Sequence, residues 1–146
     1  MALQRPGFGT APSLNVAPRL VISCAAHPIT PTPLCVPASE TPALATSITL
    51  PVVRHPAVVA KTLTTLAVLA RGPVVGGLGP GSSRRDHQAV RIPFEERWSR
   101  FDEALPLVRS LVRGEPAESG RFYPGEYEVL PRPDPSPGIW FASWGV

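Results

Sequence analysis

The run from Pro73 to Asp86 reads Pro-Val-Val-Gly-Gly-Leu-Gly-Pro-Gly-Ser-Ser-Arg-Arg-Asp. Val74 and Val75 open it as a short apolar, β-branched segment, the composition of a buried strand. Gly77, Gly79 and Gly81 then fall at alternate positions, followed by Ser82, Ser83 and a basic pair. A strand that gives way to glycines and serines leaves backbone N–H groups uncovered, and such groups can hold an anion. Patterns of helical period stand on both sides, so the local order is helix, strand, glycine-rich loop, helix. That is α/β architecture with a ligand loop at the carboxyl end of the strand. The same residues also fit a tight turn that holds nothing.

Two common glycine motifs fail here. Gly76 and Gly81 have the spacing of a P-loop, but Ser82 stands where the phosphate-binding lysine belongs, and Lys61 is the only lysine in the chain. The dinucleotide motif G-x-G-x-x-G is not met either, because Gly77, Gly79 and Gly81 run G-x-G-x-G.

Upstream, Thr46-Ser-Ile-Thr-Leu50 has strand propensity and Pro51 ends it. Pro56 suits the first turn of a helix. Val59, Leu63, Leu66 and Ala70 then share one face, and Arg71-Gly72 closes the segment. Downstream, Pro93 opens the strongest helical pattern, with Phe94, Trp98, Phe101, Leu105, Val108 and Leu111 on one face. Glu95 and Glu96 favour its first turn, Arg113-Gly114 favours its end, and Pro106 should kink or split it near Asp102. Gly120 to Pro137 reads as loop, with aromatic residues that suit a small hairpin. Ile139-Trp-Phe-Ala-Ser143 reads as a last buried strand. The alternation predicts parallel strands at 46–50, 74–78 and 139–143, with helices at 56–70 and 94–113 on one outer side. Ile48, Val75 and Ile139 are expected to point to the opposite, inward side.

The chain has 146 residues, enough for one modest domain, and 20 of them are proline. Residues 1–44 keep no sustained period of either kind, apart from a short strand candidate at Leu20-Val-Ile-Ser23. They are read as a Pro-rich segment separate from the domain at 45–146. The formal net charge of +3 comes from dispersed arginines with no aromatic interleaving, which argues against a nucleic-acid partner. Cys24 and Cys35 are the only cysteines and no histidine spacing accompanies them, so a disulfide is open and a metal site is not expected. No apolar run reaches membrane-spanning length and no signal peptide is evident, which makes the cytoplasm the expected location.

Four stretches together resemble one family. Leu50-Pro-Val-Val-Arg-His-Pro-Ala-Val-Val-Ala-Lys-Thr-Leu-Thr-Thr-Leu66 is similar to the third barrel helix of the bacterial luciferase-like flavin-dependent oxidoreductases. Gly77-Leu-Gly-Pro-Gly81 resembles their glycine-rich fourth strand, Pro93-Phe-Glu-Glu-Arg-Trp-Ser-Arg-Phe-Asp-Glu-Ala-Leu105 the helix after it, and Pro137-Gly-Ile-Trp-Phe-Ala-Ser-Trp-Gly145 the fifth strand. The resemblance covers residues 45–146 and implies part of a (β/α)₈ TIM barrel, strands three to five. It implies FMN or the deazaflavin F420 as cofactor, and a small organic substrate that is oxygenated or that exchanges hydride. It also places Gly79, Gly81, Ser82 and Ser83 at the cofactor, with the Gly81 and Ser82 amides and the Ser83 hydroxyl meeting its phosphate. Pro80 stands where many relatives carry arginine. Catalytic residues remain unassigned.

The same family reading carries an alternative. A whole barrel of this type takes roughly 250 residues, so the chain reads either as a truncated member of the family or as a non-catalytic fragment of one, inactive without the missing strands. A piece with open sheet edges is expected to aggregate or to pair as a homodimer. Among single residues, His55 suits a structural role in the Arg54-His55-Pro56 turn, and His87 a solvated loop position. Trp98 and Phe101 suit the core, and Trp140 and Trp144 suit packing. Arg84, Arg85 and Asp86 suit an exposed helix start. Ser143, at the end of the fifth strand, is at most a weak cofactor contact, and His27 has no role.

Overall fold

Val74 and Val75 do form the central strand that their composition predicts. The computed structural model describes residues 21–23, 43–70, 72–117 and 120–141. In chain order these form β1 (Val21–Ser23), β2 (Leu44–Thr49), α1 (Pro56–Leu69), β3 (Val74–Leu78) and α2 (Arg84–Ala89). A single 3₁₀ turn at Phe94–Glu96 then leads into α3 (Arg97–Arg113), and β4 (Gly138–Phe141) comes last. The four strands make one sheet in the order β1-β2-β3-β4, and every pair is parallel. β1 covers most of the short strand expected at residues 20–23. Cys24, Cys35, His27, Ser143 and Trp144 lie outside the described residues, as does Arg71.

Alternation along the strands divides the sheet into two faces. Leu44, Val74 and Leu78 belong to the cluster built with Val59, Leu63 and Leu66 of α1 and Phe101, Leu107, Val108 and Leu111 of α3. Ala45 and Val75 lie between them, are buried, and point to the other side. Ile139, expected on that other side, packs against the helix cluster instead. The register explains it, because Ile139 pairs with Gly76, one residue out of phase with Val75. At Gly76 an added Cβ would lie 2.6 Å from Leu63 Cδ1 and 3.2 Å from Ile139 Cδ1. The missing side chain therefore lets α1 settle against the sheet.

The helices obey their local chemistry. His55 caps α1 by accepting the Ala57 N–H at Nδ1, and Pro56 occupies the first helical position, where no donor is lost. α3 ends at Gly114, whose φ of 67° is the left-handed conformation that closes a helix. The Glu115 N–H reaches back to the Ser110 carbonyl at 3.0 Å. Pro106 does not split α3, which runs without a break from Arg97 to Arg113. Both Pro106 and Asp102, whose carbonyl loses its partner, are exposed, so water can satisfy that carbonyl.

No hairpin forms between Gly120 and Pro137. The Glu103 carboxylate on α3 takes the backbone donors there, accepting from Phe122 N at 2.9 Å and Tyr123 N at 2.8 Å. The buried Tyr123 hydroxyl donates to the Pro51 carbonyl at 3.4 Å, and burial pushes its pKa up to about 12. Further along, the Lys61 ammonium donates to the Leu130 carbonyl. The segment thus lies across α1 and α3 as an irregular strap.

β2 and β3 approach each other closely at one point. A Cβ on Gly77 would lie 2.2 Å from the Thr46 carbonyl oxygen, a backbone atom with no freedom to move aside. Gly77→Ala should therefore destabilise the chain by about 3 kcal/mol, the upper end of ordinary overpacking. Gly76→Ala, which meets only the flexible ends of the Leu63 and Ile139 side chains, should cost clearly less. Equilibrium urea unfolding of the two variants checks this order, and equal midpoints would contradict it.

Candidate functional site

The glycine-rich loop opens where β3 ends. Gly79 N–H still bonds to the Thr49 carbonyl at 3.1 Å, so the sheet persists one residue past the strand. Gly81 then turns with a φ of 84°, which side chains rarely adopt. A Cβ there would lie 3.0 Å from His87 Cε1 and 3.1 Å from Leu50 Cδ1. Ser83 next caps α2, its Oγ accepting the Asp86 N–H at 3.3 Å. Its own O–H stays available as a donor.

These residues wall a cleft of about 610 Å³ at the carboxyl ends of β2 and β3. That lies within the usual span of ligand clefts, about 300–1,000 Å³. Gly79, Gly81, Ser82 and Ser83 all line it, so the structure brings the four expected residues together. Ser47, Ile48 and Leu50 form the wall on the β2 side, where the Ser47–Ile48 peptide is cis. Phe94, Arg97 and Trp98 close the far side, and Asp86 lies among the loop residues. Among the described residues, the Gly81 and Ser82 amides and the Ser82 hydroxyl have no hydrogen-bond partner within the protein.

A family model described as luciferase-like monooxygenase matches residues 18–146. The chain belongs to the luciferase-like monooxygenase family. The match begins upstream of residue 45, where the domain was expected to start, and takes in β1. An F420-dependent glucose-6-phosphate dehydrogenase of Beutenbergia cavernae is 35% identical over 108 residues, covering 70% of this chain and 32% of that protein. An F420-dependent hydroxymycolic acid dehydrogenase of Mycobacterium tuberculosis is 37% identical over 106 residues, covering 68% of this chain and 29% of that protein. Among solved structures, the monooxygenase RslO1 from Streptomyces bottropensis superposes with a TM-score of 0.63 at 30% identity, over 70% of this chain and 32% of that one. The chain thus spans about a third of the length of the relatives it matches. The family's TIM barrel and the parallel sheet with its outer helices agree.

Several single residues of this luciferase-like chain stand elsewhere than their sequence context suggests. His87 is fully buried rather than solvated. Its Nδ1 bonds to the Ser83 carbonyl at 2.9 Å and its ring meets Phe94 edge-on at 5.2 Å between centroids. Because a carbonyl can only accept, Nδ1 carries a proton, and Nε2 is buried without a hydrogen-bond partner among the described residues. One turn of helix folds the imidazole back under the loop, a tertiary effect that no local pattern announces. Trp98, expected in the core, is half-buried in the cleft wall, while Phe101 is core. Trp140 is 50% exposed rather than packed. Arg84 and Arg85 are exposed as expected, whereas Asp86 is half-buried. The Arg84 guanidinium, hydrogen-bonded to Glu95 at 2.6 Å, holds that carboxyl below the usual range. Among the described residues no group of three or more His, Cys, Asp or Glu is placed to hold a metal. No described helix is long and apolar enough to cross a membrane.

His55 has the structural role expected of it. With Nδ1 accepting from Ala57, Nε2 carries the proton and points to the Tyr127 hydroxyl at 3.3 Å, which in turn donates to the Pro124 carbonyl at 2.8 Å. Partial burial lowers the His55 pKa from its ordinary value of 6.5. Protonation would also remove the acceptor that caps α1. For a base with a lowered folded pKa, the unfolded chain binds more protons, so this stability is present above the unfolded value and lost as pH falls through the folded one. Stability should therefore decline as pH is taken below about 6.5. His55→Asn, which keeps a capping acceptor and cannot titrate, should flatten that part of the curve. Thermal unfolding of both proteins across this range checks it, and parallel curves would contradict it.

Proposed function

We propose that this chain forms the phosphate-side wall of an FMN or F420 site in a luciferase-like oxidoreductase acting on a small organic substrate. The observation that carries the reading is the convergence of Gly79, Gly81, Ser82 and Ser83 on one cleft, with unused donors at the carboxyl end of a parallel sheet. The donor set fits a phosphate. Two backbone N–H groups and two hydroxyls can each donate to a non-bridging oxygen, and the open conformation at Gly81 keeps side-chain bulk away from them. The names of two relatives support F420, since both are F420-dependent dehydrogenases, and a third, a monooxygenase, supports oxygen chemistry.

When bound, the cofactor ring supplies hydride transfer or, as a reduced flavin, reaction with oxygen. The chain's own part is to bind and orient. Ser82 and Ser83 fix the phosphate end, and the Gly81 turn sets how near it comes. Ile48, Leu50 and Trp98 give the cleft an apolar side that excludes water from whatever lies against it. No side chain here is assigned a proton-transfer role.

A second reading, that the chain alone is a non-catalytic piece of such an enzyme, rests on the sheet edges. Among the described residues β1 pairs only with β2 and β4 only with β3. On β4, Trp140 and Phe141 stay half exposed, as residues awaiting a further strand would. Barrel closure removes such edges and encloses the cofactor.

Two outcomes test these readings. In a barrel completed with the missing strands of a relative, Ser82→Ala combined with Ser83→Ala should weaken FMN or F420 binding by about 1–3 kcal/mol, as for lost hydrogen bonds to a charged group. Unchanged affinity in a titration would reject the phosphate placement. The 146-residue chain by itself, supplied with reduced FMN or F420 beside a complete relative, should show no turnover. Cofactor-dependent turnover by a soluble monomer would overturn the second reading.

A further inference from the structure

One cation in the cleft makes no ion pair, although its charge helps hold the Glu95 carboxyl below the usual range. Arg84 is tied to Glu95 at 2.6 Å and Arg100 to Glu96 at 2.7 Å, so these two guanidinium groups are neutralised within the protein. Arg97 lies between those pairs in sequence and makes no ion pair among the described residues. Among the described residues its guanidinium makes one hydrogen bond, from Nη1 to the Phe94 carbonyl at 3.0 Å. Its Cζ lies 4.0 Å from the centre of the Phe94 ring and 5.8 Å from that of Trp98. A guanidinium has five N–H donors in a rigid plane, and here the stacking and the carbonyl bond fix that plane while most of the fork stays unused. The group is half-buried and shares the cleft with Ser82 and Ser83.

We propose that Arg97 is the cation of this cleft's anion subsite, and that it takes oxygens of a phosphate group on the ligand from the side opposite the serine loop. The inference rests on reading the cleft as the phosphate end of a cofactor site. The geometry favours an anion over a neutral ligand. A stacked, half-desolvated guanidinium binds a charged oxygen more strongly than a solvated lysine would, and its planar fork suits two oxygens of one phosphate. Phe94 supports the group from below and is itself held edge-on by buried His87, so the cation has little freedom to swing away. Asp86 works against this. It lines the same cleft, and no ion pair joins it to Arg97. A bound phosphate therefore feels one favourable and one unfavourable charge, and the two should be separable by mutation.

The experiment uses the full chain and three probes, inorganic phosphate, FMN and riboflavin, with binding followed by equilibrium dialysis and thermal shift. For the unaltered chain, FMN should bind more tightly than riboflavin, and phosphate should raise the melting temperature and compete with FMN. Arg97→Gln should reduce the affinity for FMN and for phosphate about ten- to hundredfold, the loss of a hydrogen bond to a charged group. It should leave riboflavin binding unchanged. Arg97→Lys should recover part of the phosphate response, which guards against a variant that merely folds poorly. Asp86→Asn should strengthen phosphate and FMN binding. If Arg97→Gln lowers FMN and riboflavin affinity equally, or if phosphate affinity does not respond to Arg97 or Asp86, the subsite is overturned. If phosphate responds as expected but FMN and riboflavin bind alike, the anion subsite stands and the reading of the cleft as an FMN site fails.

Discussion

The carbonyl oxygen of Thr46 occupies the space where a side chain on Gly77 would begin, 2.2 Å from that absent Cβ. Much else depends on this close approach. The Thr46 hydroxyl accepts the Gly77 N–H at 3.0 Å and lies 3.3 Å from the Gly77 carbonyl, so one side chain is locked to a single residue of the neighbouring strand. The pairing of β2 with β3 then shifts register between Thr46 and Thr49. That shift turns Ser47 and Ile48 out of the ladder and into the cleft wall, facing the loop that follows β3. Without the glycine the two strands would be pushed apart and the cleft would lose one side.

A second absent side chain acts on the other face of the same strand. At Gly76 the space is filled by Leu63 and Ile139, which brings α1 and β4 against the centre of β3. The two adjacent glycines therefore do opposite jobs. One admits a helix and the other admits a strand. Alternation along a strand makes this possible, because neighbouring residues look to different faces. The flanking residues Val74, Val75 and Leu78 are buried, so the strand keeps an apolar anchor at each end of the gap.

Much of this was legible in the sequence, and the reasons for the rest are physical. β3 and α1 follow their local patterns closely, because periodicity, the proline at the first turn and the glycine spacing all act on short range. The convergence of the four loop residues on one cleft follows from the same local pattern. Burial of His87 was not legible, since it depends on Phe94 arriving from another element. Ile139 was placed on the wrong face because a strand's phase against its neighbour is set by register, which composition does not encode. Trp98 sits on the expected apolar side of α3, but near its start, where the helix overhangs the cleft rather than the sheet. Arg97 belongs to the Pro93–Trp98 stretch that resembles the family's helix, but nothing there marked it as a ligand contact. Only the pairing of its neighbours with Glu95 and Glu96 singles it out.

The strap between α3 and β4 has a bearing on how the last strand finds its place. A free connection from Gly114 to Gly138 would be long, and the entropy lost in closing a loop grows with its length, by about 0.6 kcal/mol per doubling. Here the connection is pinned at Glu103, at Pro51 and at Lys61 before it reaches the sheet. Each pin turns one long search into shorter ones. Because all three anchor points sit on or beside α1 and α3, the helical pair becomes the template on which β4 is delivered. The chain can thus assemble its sheet in sequence order, with the strand farthest along the chain added to a layer that already exists.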